Sequence, residues 1–118
     1  MDVDPFAERL ARVRERFVSA LESKIEDTFA ALPELAGETA TEAVDETYRR
    51  IHGIVGIGPT VGFAGTGRAA RTLENILLLP RDAERGLTAE EINSFKNALH
   101  TLREIAAKEL QSFYSCWR

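Results

Sequence analysis

The sequence predicts an all-α protein, an antiparallel up-down four-helix bundle, on three observations. Apolar residues recur in steps of three and four through four long stretches. Capping signals and prolines mark the ends of those stretches. Nowhere does strict alternation coincide with β-branched enrichment over the length of a strand. Helices are expected over about 4–32, 40–60, 63–79 and 88–115, in one domain spanning residues 1–118. Connections this short make neighbouring helices antiparallel.

The first helix opens at Asp4–Pro5, an N-cap followed by proline at the first helical position. Phe6, Leu10, Val13, Phe17, Leu21, Ile25, Phe29 and Leu32 trace one face. Arg12, Glu15, Arg16, Glu22 and Glu26 form the opposite, solvated one. Pro33 ends the helix, and a linker runs to about Thr39. Thr39 with Glu42 has the form of a capping box for the second helix. Ala43, Thr47, Ile51, Ile54, Gly58 and Val61 share its inner face.

The third helix carries Phe63, Ala70, Leu73, Ile76 and Leu77 as its apolar stripe, and Pro80 to Gly86 reads as a polar loop. Thr88 and Glu91 make a second capping box. Beyond it Ile92, Phe95, Leu99, Leu102, Ile105 or Ala106, Leu110 and Phe113 repeat in near-heptad steps.

Composition narrows the function classes. With 118 residues the chain can bury one core, and its formal charge of −4 argues against a nucleic-acid partner. An apolar run such as Ile76 to Leu79, unexceeded in length elsewhere, is far too short to cross a bilayer, so no membrane association is expected. The opening MDVDPFAERL is acidic and polar, unlike a secretory signal. A lone cysteine, Cys116, allows neither an intrachain disulfide nor a thiolate metal site. A cytoplasmic location, no metal and a monomer are the expectations.

The stretch that departs from ordinary helix is Tyr48 to Gly62, YRRIHGIVGIGPTVG. Glycine inside a helix costs about 1 kcal/mol relative to alanine, and interior proline about 3. Gly56-x-Gly58 with Gly62 is not a dinucleotide fingerprint, because the spacing is wrong and no strand precedes it. Helical phase turns His52 roughly 140–160° from the centre of the inner face, into solvent. Gly56, one turn on, and Gly53 leave the imidazole unshielded, as a nucleophilic ring nitrogen requires. Pro59 cannot donate to the carbonyl of Val55, so a kink or an early end is expected between Ile57 and Thr60. His100, in the last helix, has no carboxylate or thiolate constellation near it in sequence and reads as a surface histidine.

His52, Gly53, Ile54, Val55 and Gly56 resemble the motif of histidine-containing phosphotransfer (HPt) domains, which runs histidine, any residue, aliphatic, lysine, glycine. Val61-Gly62-Phe63, Ala70 and Leu73-Glu74-Asn75-Ile76-Leu77 follow without a gap. With Pro33-Glu34, Tyr48-Arg49-Arg50 and the helix at Thr88, they are similar to the phosphorylated N-terminal domain of chemotaxis-type kinases.

The resemblance implies a phosphorelay carrier, with His52 as phosphoryl acceptor and Glu74 orienting its imidazole through Nδ1. It implies response-regulator receiver domains and a histidine kinase as partners. It further implies that this chain binds no cofactor and that the receiver supplies Mg²⁺. Consistent with that, no Walker-type or kinase glycine loop is present. Val55 departs from the pattern, since the family usually has lysine there. Arg71, three residues before Glu74, could return the missing charge, with Arg49 and Arg68 further candidates for phosphate or partner contact alongside Gly53 and Gly56. Two alternatives remain: an HPt-like adaptor that docks receivers or kinases without being phosphorylated, and a helical dimerisation domain.

Overall fold

The computed structural model describes residues 4–37 and 40–116 and is a four-helix bundle. Helix α1 spans Pro5–Ala31, α2 Thr41–Ile57, α3 Ala64–Asp82 and α4 Ala89–Cys116. Each helix packs on the next and α4 closes back on α1, whereas among the described residues the diagonal pairs make no close backbone approach. Partners run in opposite order along α2 and α3: Asp45 meets Arg81, His52 meets Glu74, and Pro59 meets Gly67. That is the antiparallel register expected of short connections.

One core runs through the bundle. Leu21, Ile51, Ile54, Leu73, Leu77, Phe95, Leu99 and Leu102 are fully enclosed, and truncating any of these leucines or isoleucines to alanine costs about 2–5 kcal/mol. At one end Phe63 packs between Phe17 and Phe113, tilted rings with centroids at 5.3 and 6.1 Å. The helices differ in length: α1 and α4 have 27 and 28 residues, against 17 and 19 for α2 and α3. At 1.5 Å per residue the longer pair outruns the shorter by roughly 15 Å. The apolar stripe of α1 is therefore buried only from Phe17 onward, while Phe6 and Val13 stand exposed.

The ends of the helices refine the expected boundaries. Asp4 caps α1 as anticipated, its Oδ1 accepting from Phe6 N–H at 3.0 Å. Pro33 to Leu35, read from sequence as linker, belongs with Leu32 to a 3₁₀ turn, Leu32–Leu35, whose Leu35 is fully buried and accepts from Leu87 N–H at 2.7 Å. Thr39 of the first capping box lies outside the described residues. The second box is formed in full: Glu91 Oε1 accepts from Thr88 N–H at 2.8 Å, and Thr88 Oγ1 from Glu91 N–H at 3.1 Å.

The expected loop at Pro80 is a correction. Helix α3 runs through Pro80 to Asp82, with Pro80 buried. Proline lacks the N–H that would reach the Ile76 carbonyl, so one intrahelical bond is unmade, and only Arg81 and Asp82 follow it in the helix. Ala83 N–H then closes on Leu79 O at 3.0 Å, and Arg85 N–H on Pro80 O at 3.1 Å. The connection that remains is held by Gly86, where any Cβ would collide with the carbonyl oxygen of Gly37.

Helix α2 ends at Ile57, three residues before the expected boundary and within the range that Pro59 dictates. Gly58–Val61 continues as a 3₁₀ turn, and Gly62 ends it in the left-handed region at φ +94°. Phe63 N–H then returns to Gly58 O at 2.8 Å. The N-terminus of α3 has no side-chain cap of its own. Glu109 of α4 takes that part, accepting from Gly65 N–H, Thr66 N–H and Thr66 Oγ1 at 3.2, 2.6 and 2.6 Å.

Candidate functional site

The densest helix pair, α2 and α3, builds a site on its outer face. His52 lies in mid-helix, opposite the buried Ile51 and Ile54 positions, and its side chain is 63% exposed. Glu74 extends from the buried flank of α3, beside Leu73 and Leu77, and its side chain is only 11% exposed. The two meet between His52 Nδ1 and Glu74 Oε2 at 2.5 Å.

An ionised carboxylate can only accept. Against such a carboxylate Nδ1 is the donor, and in the neutral tautomer that makes this bond the lone pair is on Nε2. No hydrogen-bond partner holds Nε2 among the described residues. The arrangement offers an exposed, in-plane nucleophile backed by a fixed carboxylate.

Around the imidazole the surface is low. A Cβ on Gly53 or Gly56 would meet nothing within 4 Å. Gly58 and Gly62 have other uses, the first buried against the start of α3 and the second holding its positive φ. The glycines of YRRIHGIVGIGPTVG thus divide into two that bare the histidine and two that turn the chain.

The charged candidates fall into two groups. Arg49 is tied one turn back to Asp45 Oδ2 at 2.9 Å, although its side chain is 75% exposed. Arg68 and Arg71 lie exposed on α3, and among the described residues neither has an ion-pair partner. Arg71 is one turn from Glu74, and the antiparallel register places it across from Val55 and Gly56. Val55 itself is turned about 60° from His52 and belongs to the core, at 9% exposure.

No protein-family model, curated protein or solved structure matches this chain.

Sequence reasoning missed two further residues at the site. The Tyr48 ring stacks on His52 at 5.6 Å with 11° between the planes. Arg81 lies over the Tyr48 ring at 4.2 Å, and its Nε donates to Asp45 Oδ1 at 3.0 Å. That hydrogen bond raises the Arg81 pKa further, so the guanidinium is charged at any accessible pH. The i to i+4 spacing of Tyr48 and His52 was a legible signal for the first contact. Arg81 was hidden because it follows a proline and reads as loop.

Among the described residues no group of three or more histidine, cysteine, aspartate or glutamate side chains could hold a metal ion. None of the described helices is long and apolar enough to cross a membrane. His100 is exposed and meets the edge of Phe29 at 4.9 Å, apart from the site.

Proposed function

We propose that this chain is a histidine phosphotransfer protein of a two-component phosphorelay, carrying a phosphoryl group on His52. The observation that carries the reading is the bond from exposed His52 Nδ1 to nearly buried Glu74. The resemblance of residues 52–56 and 61–77 to HPt domains adds to it.

In this mechanism Nε2 attacks the phosphorus of a receiver's aspartyl phosphate or of a kinase-bound donor. The N–P bond forms as the P–O bond to the leaving group breaks, and the leaving oxygen keeps the electron pair. The Nδ1 proton stays on the ring, where Glu74 offsets the positive charge that develops as Nε2 is consumed. Transfer onward to an aspartate reverses these steps. The receiver supplies the Mg²⁺ that neutralises charge on the transferring group. Arg71 and Arg68 are the cations of this chain placed to assist, and Gly53 and Gly56 let the partner's active site approach the ring. Such exchange places the protein in the cytoplasm with receivers and a kinase.

One observation favours a second reading. Val55, where the resemblance calls for lysine, lies in the core and brings no charge. An adaptor that docks receivers without being phosphorylated would tolerate that loss. Incubation with phosphorylated receivers and with kinases separates the two. The carrier acquires an acid-labile label that His52→Ala abolishes; the adaptor binds the receiver and stays unlabelled.

A further inference from the structure

We infer that Tyr48 is a positioning residue for His52, and that Arg81 and Asp45 in turn set Tyr48. Its functional meaning rests on the phosphoryl-carrier reading, but its geometric content can be tested without it.

A single hydrogen bond at Nδ1 does not fix an imidazole. The ring can still pivot about its Cβ–Cγ bond, which carries Nδ1 off Glu74 Oε2 and swings Nε2 with it. Because the Nε2 lone pair lies in the ring plane, that pivot sets the direction of attack. A second restraint is needed, one that holds the plane without covering the edge. Tyr48 has that geometry: its ring is 11° from parallel with the imidazole at a centroid distance of 5.6 Å. This falls within the range of offset-stacked pairs. Stacking covers part of a face and leaves the in-plane Nε2 edge open.

Tyr48 is itself held on two sides. It is partly buried against the core. The Arg81 guanidinium lies 4.2 Å from its ring centroid, an attraction between a cation and the π face. Arg81 is anchored by Asp45 Oδ1, and the other oxygen of Asp45 accepts from Arg49 at 2.9 Å. Helix α2 thus contributes Asp45, Tyr48 and His52 at successive turns or near them, and α3 contributes Glu74 and Arg81 two turns apart. The continuation of α3 through Pro80 delivers Arg81 to this place.

Two readouts test the inference. In ¹⁵N-labelled protein, two-bond proton–nitrogen spectra report which ring nitrogen carries the proton. Phosphoramidate, a small phosphoryl donor that needs no docking surface, reports the reactivity of His52. Nε2 takes its phosphoryl group as the P–N bond breaks and ammonia leaves. The wild-type ring should show Nδ1 protonated.

Tyr48→Ala should lower that population and slow labelling of His52 about tenfold, as loss of orientation does. Tyr48→Phe should restore both, and Arg81→Met should give a smaller loss of each. Circular dichroism establishes that the variants remain helical; if Tyr48→Ala unfolds, Tyr48→Leu keeps the apolar bulk without the aromatic face. Wild-type tautomer and rate in the non-aromatic variant, or failure of Tyr48→Phe to rescue, would overturn the inference. A tautomer that shifts as expected in proteins that phosphoramidate never labels would leave Tyr48 as positioning residue and remove the carrier reading instead.

Discussion

Glu74 Oε2 lies 2.5 Å from His52 Nδ1 across the α2–α3 seam, joining a carboxylate with 11% of its side chain exposed to an imidazole with 63% exposed. The asymmetry matters because the acceptor is rigid and the nucleophile is accessible. Replacing Glu74 by alanine removes the acceptor and frees the ring to take either tautomer. Labelling of His52 by a phosphorylated receiver is expected to fall by about 10²-fold, the lower end of what a proton-handling partner contributes. Glu74→Gln, whose amide oxygen can still accept from Nδ1–H without a charge, should lie between. A quench-flow series with both variants checks the order, and an unchanged rate in Glu74→Ala would remove Glu74 from the mechanism.

Arg71 is expected to act through charge and not through packing, since it is exposed and lacks an ion-pair partner among the described residues. Arg71→Ala should slow transfer about tenfold while leaving thermal stability within about 0.5 kcal/mol, as surface substitutions usually do. Raising the ionic strength should narrow the gap between wild type and variant, because exposed charges are screened over about 10 Å at 0.1 M salt. Transfer rates measured across a salt series decide it; a gap that does not narrow would mean that Arg71 acts by another route.

Two glycines that look alike in sequence should respond to alanine in opposite directions. A Cβ on Gly56 meets open space, so Gly56→Ala should stabilise the fold by about 1 kcal/mol through helix propensity alone. A Cβ on Gly67 would lie 2.8 Å from both Cδ and Cγ of Pro59. The proline ring is fixed by the 3₁₀ turn and cannot yield, and such overpacking costs about 1–3 kcal/mol, offsetting or exceeding the propensity gain. Gly67→Ala should therefore be destabilising in urea unfolding. At Gly56 size is then the functional variable: Gly56→Trp should keep the fold and block receiver docking, whereas Gly56→Ala should not.

What the sequence made legible follows from which features are local. Helix periodicity is local, and the buried residues of α2, α3 and α4 lie largely where the steps of three and four put them. The outward phase of His52 and the early end of α2 at Pro59 are likewise matters of a few residues. The contact with Glu74 crosses two helices and came only through the resemblance to HPt domains. Pro80 misled because the penalty for proline depends on how much helix follows it, and here only Arg81 and Asp82 do. Once Pro80 reads as a terminus, Arg81 leaves the site and the Arg81–Tyr48–His52 stack disappears from view. The exposure at the start of α1 was equally hidden, since Phe6 and Val13 keep the period of the core, and of this stretch of the stripe only Leu10 packs against it.

The capping box at the start of α4 should make stability depend on pH in a predictable direction. The Arg85 guanidinium holds the Glu91 carboxyl below its ordinary value near 4.5, with the Thr88 backbone N–H adding to the effect and burial opposing it. A carboxylate whose folded pKa is depressed contributes stability that is fully present above its unfolded value and lost as pH falls through the folded one. Glu91→Gln, which can still fill the capping box, should therefore be less stable than wild type at pH 7 by about 1 kcal/mol, the difference between hydrogen bonds to a charged and to a neutral acceptor. The difference should shrink below about pH 4.5 and vanish once Glu91 is protonated in both the folded and the unfolded wild type. Thr88→Ala removes the other half of the box and should cost a similar amount, about 1 kcal/mol, at every pH. Urea midpoints at pH 7 and pH 3 distinguish the two: a Glu91→Gln deficit that persisted at pH 3 would mean that the carboxylate's charge is not what the box uses.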